Sequence, residues 1–279
     1  MYNNISNIKP ALFLFTAFTL AMASCQKKFE PASYAPKQTF GGYDASNQVA
    51  ASDLVAHFSF EGNLVDSVSK TAASNSGTSN SPGIKGQGMQ VGLGNYAVFT
   101  PTDAVKNLQS FTLSYWINTP KNTAGIQNPV CFVNPTDFWG RLDMFFDQQA
   151  DDKALFKMHV WGTGGDQWMD KWFIPSPFGK WLHIILTYDM TSGTFAFYVN
   201  GALLGSVINK NFGALNFSSS PAIVLGTTQL MTNPLLTSGG GPQSWTSFVL
   251  GTMDELRIYK KALGADDIKA LYNLENLGK

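Results

Sequence analysis

Few residues in this 279-residue chain have the type and spacing that covalent chemistry needs. Asp254 and Glu255 are adjacent in a strand-like run, and neighbours in a strand point to opposite faces, so they are not expected to flank one bond. Asp143 and Asp147 share a face with Arg141, but four extended residues put their Cα atoms about 13 Å apart, too far for the usual hydrolytic carboxylate pair. His57, His159 and His183 are scattered, and each reads as a sheet-face residue rather than a zinc ligand. Gly86-Gln87-Gly88 followed by Gly92 is not the G-x-G-x-x-G of a dinucleotide loop and lacks its strand-to-helix setting, so it reads as a turn. Neither G-x-S-x-G nor H-E-x-x-H occurs. Cys131, in the apolar run Pro129-Val130-Cys131-Phe132-Val133, reads as a buried, inert thiol. The expectation is a protein that is not an enzyme.

Aromatic surface beside polar groups is better represented. Aromatics are 13% of the chain, nearly equal to the 14% of charged residues. In Arg141–Asp147, period-two alternation sends Leu142, Met144 and Phe146 one way and Arg141, Asp143 and Asp147 the other. In Leu155–Trp161 it separates Phe156, Met158 and Val160 from Lys157, His159 and Trp161. Paired as a hairpin, these strands would line one sheet surface with charges and rings. Adjacent loops add Trp139, Trp168, Trp172 and Trp245; the stretches Trp161–Trp168 and Leu236–Trp245 are glycine-rich and polar, the character of mobile site-forming loops. An indole offers a flat apolar face to sugar C–H groups, while carboxylates and guanidinium groups hold hydroxyls. The candidate ligand site is therefore Trp139, Arg141, Asp143, Asp147, His159, Trp161, Trp168, Trp172 and Trp245, and the candidate ligand a glycan. Trp116 and Trp181, inside strands, read as packing; Trp139, Trp161 and Trp168 suit ligand contact or packing alike.

The elements that must position these groups are strands. From residue 53 onward the apolar period is two, and turns of Gly, Pro, Asn and Ser separate short runs. The pattern predicts strands at Leu54–Phe60, Ala97–Thr100, Phe111–Asn118, Arg141–Asp147, Leu155–Trp161, Lys171–Ile174, Ala222–Leu225 and Gly251–Tyr259. It also predicts a meander of Trp181–Asp189, Thr194–Val199 and Ala202–Ile208, closed by a tight turn at Asn200-Gly201. Ile268, Leu271 and Tyr272 make one helical stripe behind Asp266 and Asp267, the mark of a short helix capping a sheet edge. The expected fold is all-β, a two-sheet antiparallel sandwich with a short C-terminal helix, over 53–279. With 19 basic and 19 acidic side chains, nothing follows a phosphate backbone, so nucleic acid is not an expected partner.

The first 24 residues read as an address. Lys9 precedes the apolar run Ala11–Ala23, too short for a membrane span and laid out as a secretory signal. Met22-Ala23-Ser24-Cys25 resembles a lipobox, which would leave Cys25 as the lipidated N-terminus. Acyl chains on that cysteine would hold the protein to a membrane without a spanning helix, at the cell envelope and by expectation at the outer membrane, exposed on its surface. Residues 25–52, poor in aliphatics and holding two prolines and Gly41-Gly42, read as a flexible tether.

Four segments resemble the laminin-G-like jelly roll of the concanavalin A-like lectin and glucanase fold. They are Phe58–Ser67 (FSFEGNLVDS), Gly83–Gly88 (GIKGQG), Phe111–Asn118 with Trp181–Gly205, and Gly251–Leu263 (GTMDELRIYKKAL) with the helix behind it. The match runs in order over about residues 53–275. The resemblance implies carbohydrate binding, or alternatively a protein-interaction or adhesion module with an envelope protein partner. Glycoside hydrolases of this fold carry E-x-D-x-E on one strand, absent here, so a divergent hydrolase or polysaccharide lyase is the remaining alternative. The resemblance also implies a structural calcium ion, with Glu61 and Asp254 as acids and Asn63, Asp66 and the Gly94 carbonyl as further ligands.

Overall fold

The computed structural model describes residues 38–279, so the expected signal sequence and the expected lipidation site Cys25 lie outside the described residues. In chain order the strands are β1 (Leu54–Phe58), β2 (Ser74–Ser76), β3 (Ser79–Pro82), β4 (Gln87–Val91), β5 (Tyr96–Phe99), β6 (Phe111–Asn118), β7 (Ile126–Phe132) and β8 (Leu142–Gln149). They continue as β9 (Lys153–Gly162), β10 (Gly165–Pro175), β11 (Trp181–Asp189), β12 (Thr194–Val199), β13 (Ala202–Ile208), β14 (Ile223–Leu225), β15 (Thr246–Ser247) and β16 (Gly251–Tyr259). Among the described residues there are two α-helices, α1 (Asp103–Lys106) and α2 (Ala265–Asn276), besides short 3-10 turns.

The strands form two sheets. The first runs β13-β12-β11-β6-β16-β4-β3, with β1 also on β16; the second runs β10-β9-β8-β7-β14-β5-β2, with β15 parallel to β7. The predicted meander is present as drawn: Asn200 and Gly201 both take positive φ (52° and 73°), the turn that lets Val199 face Ala202. Between the sheets, Leu182, Ile184, Leu186 and Phe197 meet Leu142, Met144, Phe146 and Phe156 in one buried cluster. Phe156 stacks on Phe197 across the layers at 5.4 Å and 3°. Each such side chain taken out of water contributes about 1.5–3 kcal/mol, which is why alternation alone specifies the sandwich. Cys131 is fully buried, and burial holds its thiol well above the ordinary range.

Four expectations need correction. Residues 39–52 are not part of a tether: Thr39–Lys279 is one compact unit, Ser46 and Val49 are buried, and Phe40 and Tyr43 pack toward α2. The segment has one valine and two aromatics, too few for a periodic signal, yet each finds an apolar partner on α2 or β16. Helix α2 does not cap a sheet edge; it lies over the outer face of the first sheet, with Ile268, Leu271 and Leu274 against Ile185 and Tyr259. Asp254 and Glu255 do not alternate. The register of β16 shifts between Asp254 and Arg257, Glu255 takes φ 46°, and core-facing Met253 and Leu256 bracket both acids. The bulge sits where the neighbour on one side of β16 changes from β4 to β1.

Under α2 this bulge builds a buried ionic network. Arg257 donates from Nε to Glu275 (2.7 Å) and from Nη2 to Glu255 and to Ser46 Oγ (3.3 Å). Trp116 Nε1 donates to Glu275 at 2.7 Å, and His57 Nε2 lies 2.9 Å from Glu255. Burial alone would push Glu255 up, but His57 and Arg257 outweigh it and hold the carboxyl at about 2. Burial lowers His183 to about 3, so it is a neutral ring stacked on Trp116 at 4.7 Å. Both acids of the DE pair are closed off from solvent, which leaves no room for a substrate between them.

The glycine-rich stretch after Trp161 is also not a loose loop. Gly162 pairs with Gly165 across a two-residue turn, and the turn is pinned by Thr163 N to Ala214 O and Gly164 N to Phe212 O, both 2.8 Å. A Cβ built at Gly164 would fall on the Asn211 carbonyl oxygen. Gly164→Ala is therefore expected to cost about 1–3 kcal/mol, read as a lower urea midpoint; an unchanged midpoint would show that the turn is free to move.

Candidate functional site

The outer face of the second sheet carries the site. Alternation in β8 buries Leu142, Met144 and Phe146 inward and turns Asp143, Phe145 and Asp147 outward. Pairing sets Asp143 beside His159, Phe145 beside Lys157 and Trp168 beside His159. The hairpin of β8 and β9 expected from the sequence therefore exists, and β10 extends it with Trp168.

An aromatic platform spans these strands and two flanking loops. Trp139 stacks on Phe145 at 5.6 Å and 6°, meets Trp168 edge-on at 5.1 Å, and lies 6.0 Å from Trp245. Trp168 in turn covers His159 at 4.4 Å. The loop carrying Trp139 is laced to the segment leading to Trp245. Gln229 Nε2 donates to the carbonyls of Asp137 (2.7 Å) and Phe138 (3.0 Å), and Thr237 Oγ1 donates to Asp137 O at 2.8 Å. Ile126 N donates to Trp245 O at 2.9 Å, so the ring's backbone is tied to β7.

The platform floors a depression of about 380 Å³ lined by Ile126, Trp139, Phe145, Asp147, Lys157, Trp168 and Trp245. A second, of about 390 Å³, adjoins it through Ile126, Asp147 and Trp245 and adds Gln148 and Gln149. Together they make one open groove with aromatic, amide, carboxylate and ammonium groups. Phe145, Lys157, Gln148 and Gln149 are absent from the candidate set read from sequence. Alternation signals Phe145, which falls on the same face as Asp143; the glutamines lie at the strand's end, where no periodicity reaches.

The polar groups divide by what they already hold. Asp143 is buried and accepts from Asn128 Nδ2 and Gly140 N, both at 2.8 Å, with His159 Nδ1 at 3.5 Å. Its lone pairs position the Trp139 loop rather than face the groove. Asp147 pairs with Lys157 at 2.6 Å on the groove wall. His159 is buried beneath Trp168 and faces Asp166 at 3.3 Å, while Trp168 Nε1 donates to the same carboxylate at 3.0 Å. Arg141 stacks its guanidinium over Trp161 at 5.6 Å, one ring beyond His159. Eight of the nine sequence candidates thus gather on or beside one surface. Trp172 does not: the register shift between Met169 and Trp172 turns it inward, where it stacks on Phe197 at 5.9 Å. The extra strand residue of that bulge is invisible to strict alternation.

The calcium candidates separate. Glu61 and Asp254 both reach the loop 83–87: Glu61 Oε2 accepts from Gln87 N and Asp254 Oδ2 from Lys85 N, each at 3.1 Å. Burial pushes the Asp254 carboxyl up to about 8, the state of a desolvated acid that a cation would ionise. Both face that loop, and Asp254 Oδ1 also accepts from Glu255 N at 2.8 Å. Asp66 faces elsewhere: its oxygens accept from His57 N, Val68 N, Ser69 N and Ser69 Oγ in its own turn. Asn63 closes a turn onto Val65 N at 2.9 Å, and Gly94 lies at the exposed β4–β5 turn.

Comparison with solved structures returns jelly-roll binding domains. Domain 4 of AbnA, an extracellular GH43 arabinanase from Geobacillus stearothermophilus, in complex with arabinotriose, matches at TM-score 0.55 and 20% identity over 78% of this chain and 98% of that one. The binding domain of Paraclostridial Mosquitocidal Protein 1 matches at TM-score 0.58 and 14% identity over 80% of this chain. The binding domain of botulinum neurotoxin DC in complex with SialylT matches at TM-score 0.57 and 16% identity, also over 80%. This chain covers 52% of each toxin chain, and at such identities the likeness is one of fold. A search of curated proteins gives no match. A laminin-G-like family model, described as the concanavalin A-like lectin/glucanases superfamily, matches residues 92–269. The two-sheet order, the C-terminal helix and that match agree, and the chain belongs to the concanavalin A-like lectin/glucanase superfamily in its laminin-G-like branch.

Proposed function

We propose that this protein binds carbohydrate without cleaving it, as a lipid-anchored component of the cell envelope at the outer membrane. The observation that carries the reading is the Trp139–Phe145–Trp168–Trp245 platform flooring an open groove with the Asp147–Lys157 pair in its wall. Rings present flat apolar faces to sugars, and the groove's amides and charges are placed for hydroxyls. The binding domains in complex with arabinotriose and SialylT share the fold of this chain, which supports the reading by analogy. Non-catalytic action is favoured because Asp143 is occupied in holding a loop and Asp147 is paired with a lysine.

Anchoring through Cys25 suits this role. The chain enters the compact unit at Thr39, and the segment that follows packs beside α2 on the first sheet, whereas the groove belongs to the second. The test is retention of the purified protein on a panel of immobilised polysaccharides, alongside Trp139→Ala. Retention lost in the variant supports the reading. A folded protein that no glycan retains, but that captures one envelope protein, would move the assignment to adhesion.

A structural calcium ion at Glu61 and Asp254 belongs to the same proposal. Folding favours protonated Asp254, since its carboxyl stands at about 8 against 3.8 when exposed. The stability this group contributes is complete below about pH 4 and is lost as pH rises through 8. Calcium binds the ionised form, so it is expected to raise Tm more at pH 8 than at pH 5, and Asp254→Asn should remove both the pH slope and the calcium effect. An equal calcium effect in the variant would place the ion elsewhere.

A further inference from the structure

The charges around the groove point past carbohydrate in general to a class of carbohydrate. Four carboxylates, Asp137, Asp143, Asp147 and Asp166, surround the platform, against two fixed cations, Arg141 and Lys157. Lys157 is spent on Asp147 at 2.6 Å, and Arg141 lies over Trp161 and offsets Asp137 in charge without an ion pair to it. That leaves Asp143 and Asp166, which face His159 from either side at 3.5 and 3.3 Å. Even a protonated His159 would leave the surface negative by one charge.

Asp166 is the exposed member, with 45% of its side chain open to solvent. One oxygen already takes the indole N–H of Trp168, so the platform ring and the acid are held together. An ionised carboxylate only accepts hydrogen bonds. A sugar hydroxyl can donate to it; a uronate or sulfate group cannot, and brings a like charge to a surface where carboxylates outnumber cations.

We infer that this groove takes neutral glycan chains and turns away uronate- and sulfate-bearing ones, with Asp166 as the residue that sets the choice; the inference rests on the carbohydrate reading above. The chain lies along Trp245, Trp139 and Trp168, with a hydroxyl donating to Asp166 at the Trp161 end.

The experiment compares linear arabinan and galactan with polygalacturonate and chondroitin sulfate as immobilised ligands, at 20 mM and 500 mM sodium chloride. The expected result is retention on a neutral polymer and at least tenfold weaker retention on both acidic ones at low salt, the gap narrowing at high salt as repulsion is screened. Asp166→Asn, which keeps an acceptor for Trp168 Nε1 but loses the charge, should narrow the low-salt gap several-fold. Acidic polymers bound as tightly as neutral ones at low salt would overturn the inference and leave the carbohydrate reading standing. A folded protein that binds none of the four would remove both.

Discussion

Replacing Arg257 with methionine is expected to lower the stability of the domain by about 3–5 kcal/mol, the cost of stripping the partner from a buried ion pair. The guanidinium is fully buried between Glu255 and Glu275 and reaches Ser46 in the N-terminal segment. Without it, Glu275 keeps Trp116 Nε1, with His183 Nε2 at 3.6 Å, and Glu255 keeps His57, with Lys85 at 3.9 Å. Both carboxylates would face desolvation with too little charge to offset it. The residue also joins three separate parts of the chain, β16, α2 and residues 39–53, so the loss should appear as a single lower midpoint in urea rather than local fraying. Methionine fills the aliphatic volume, so a cavity is not the cause. Adding Glu255→Gln and Glu275→Gln to the same chain should recover much of the loss, because buried ion pairs replaced whole are often near neutral. A midpoint unmoved by Arg257→Met alone would show that the network carries no net stability.

Trp168→Ala is expected to weaken glycan binding by about 30-fold, near 2 kcal/mol, the scale of a central aromatic anchor. Trp168 contributes three things at once: an edge against Trp139, a cover over His159, and a donor to Asp166. Its removal flattens the platform and opens a buried imidazole to water. Trp161→Ala, one ring further along, removes the rest for Arg141 and an edge against His159, away from the groove floor, and should cost less. Isothermal titration with whichever polysaccharide the panel retains decides between them. If Trp168→Ala binds as the parent does while Trp172→Ala, which empties space between the sheets, also leaves binding intact, the groove is not the site.

The sandwich was legible because its physics is repetitive. Every second residue of β6, β11 and β12 must be apolar to bury one face, and Asn200-Gly201 must take left-handed backbone to turn between β12 and β13. For the same reason Asp143, Asp147, His159 and Trp161 could be assigned to one surface, since their partners in the period are core residues. The absence of nucleophile, zinc and nucleotide motifs was equally a matter of composition and spacing.

Tertiary structure decided whatever depends on a break in that period or on a distant partner. Bulges at Asp254–Arg257 and Met169–Trp172 each add one residue to a strand, which gathered Asp254 and Glu255 on one side and turned Trp172 inward against Phe197. Segments 39–53 and 229–245 have no period of their own; the first is held by Arg257 and α2, the second by hydrogen bonds to the Trp139 loop. Alternation is a local property, readable two residues at a time, whereas the meeting of Trp139, Trp168 and Trp245 joins residues up to 106 positions apart and exists only once both loops have closed over the sheet.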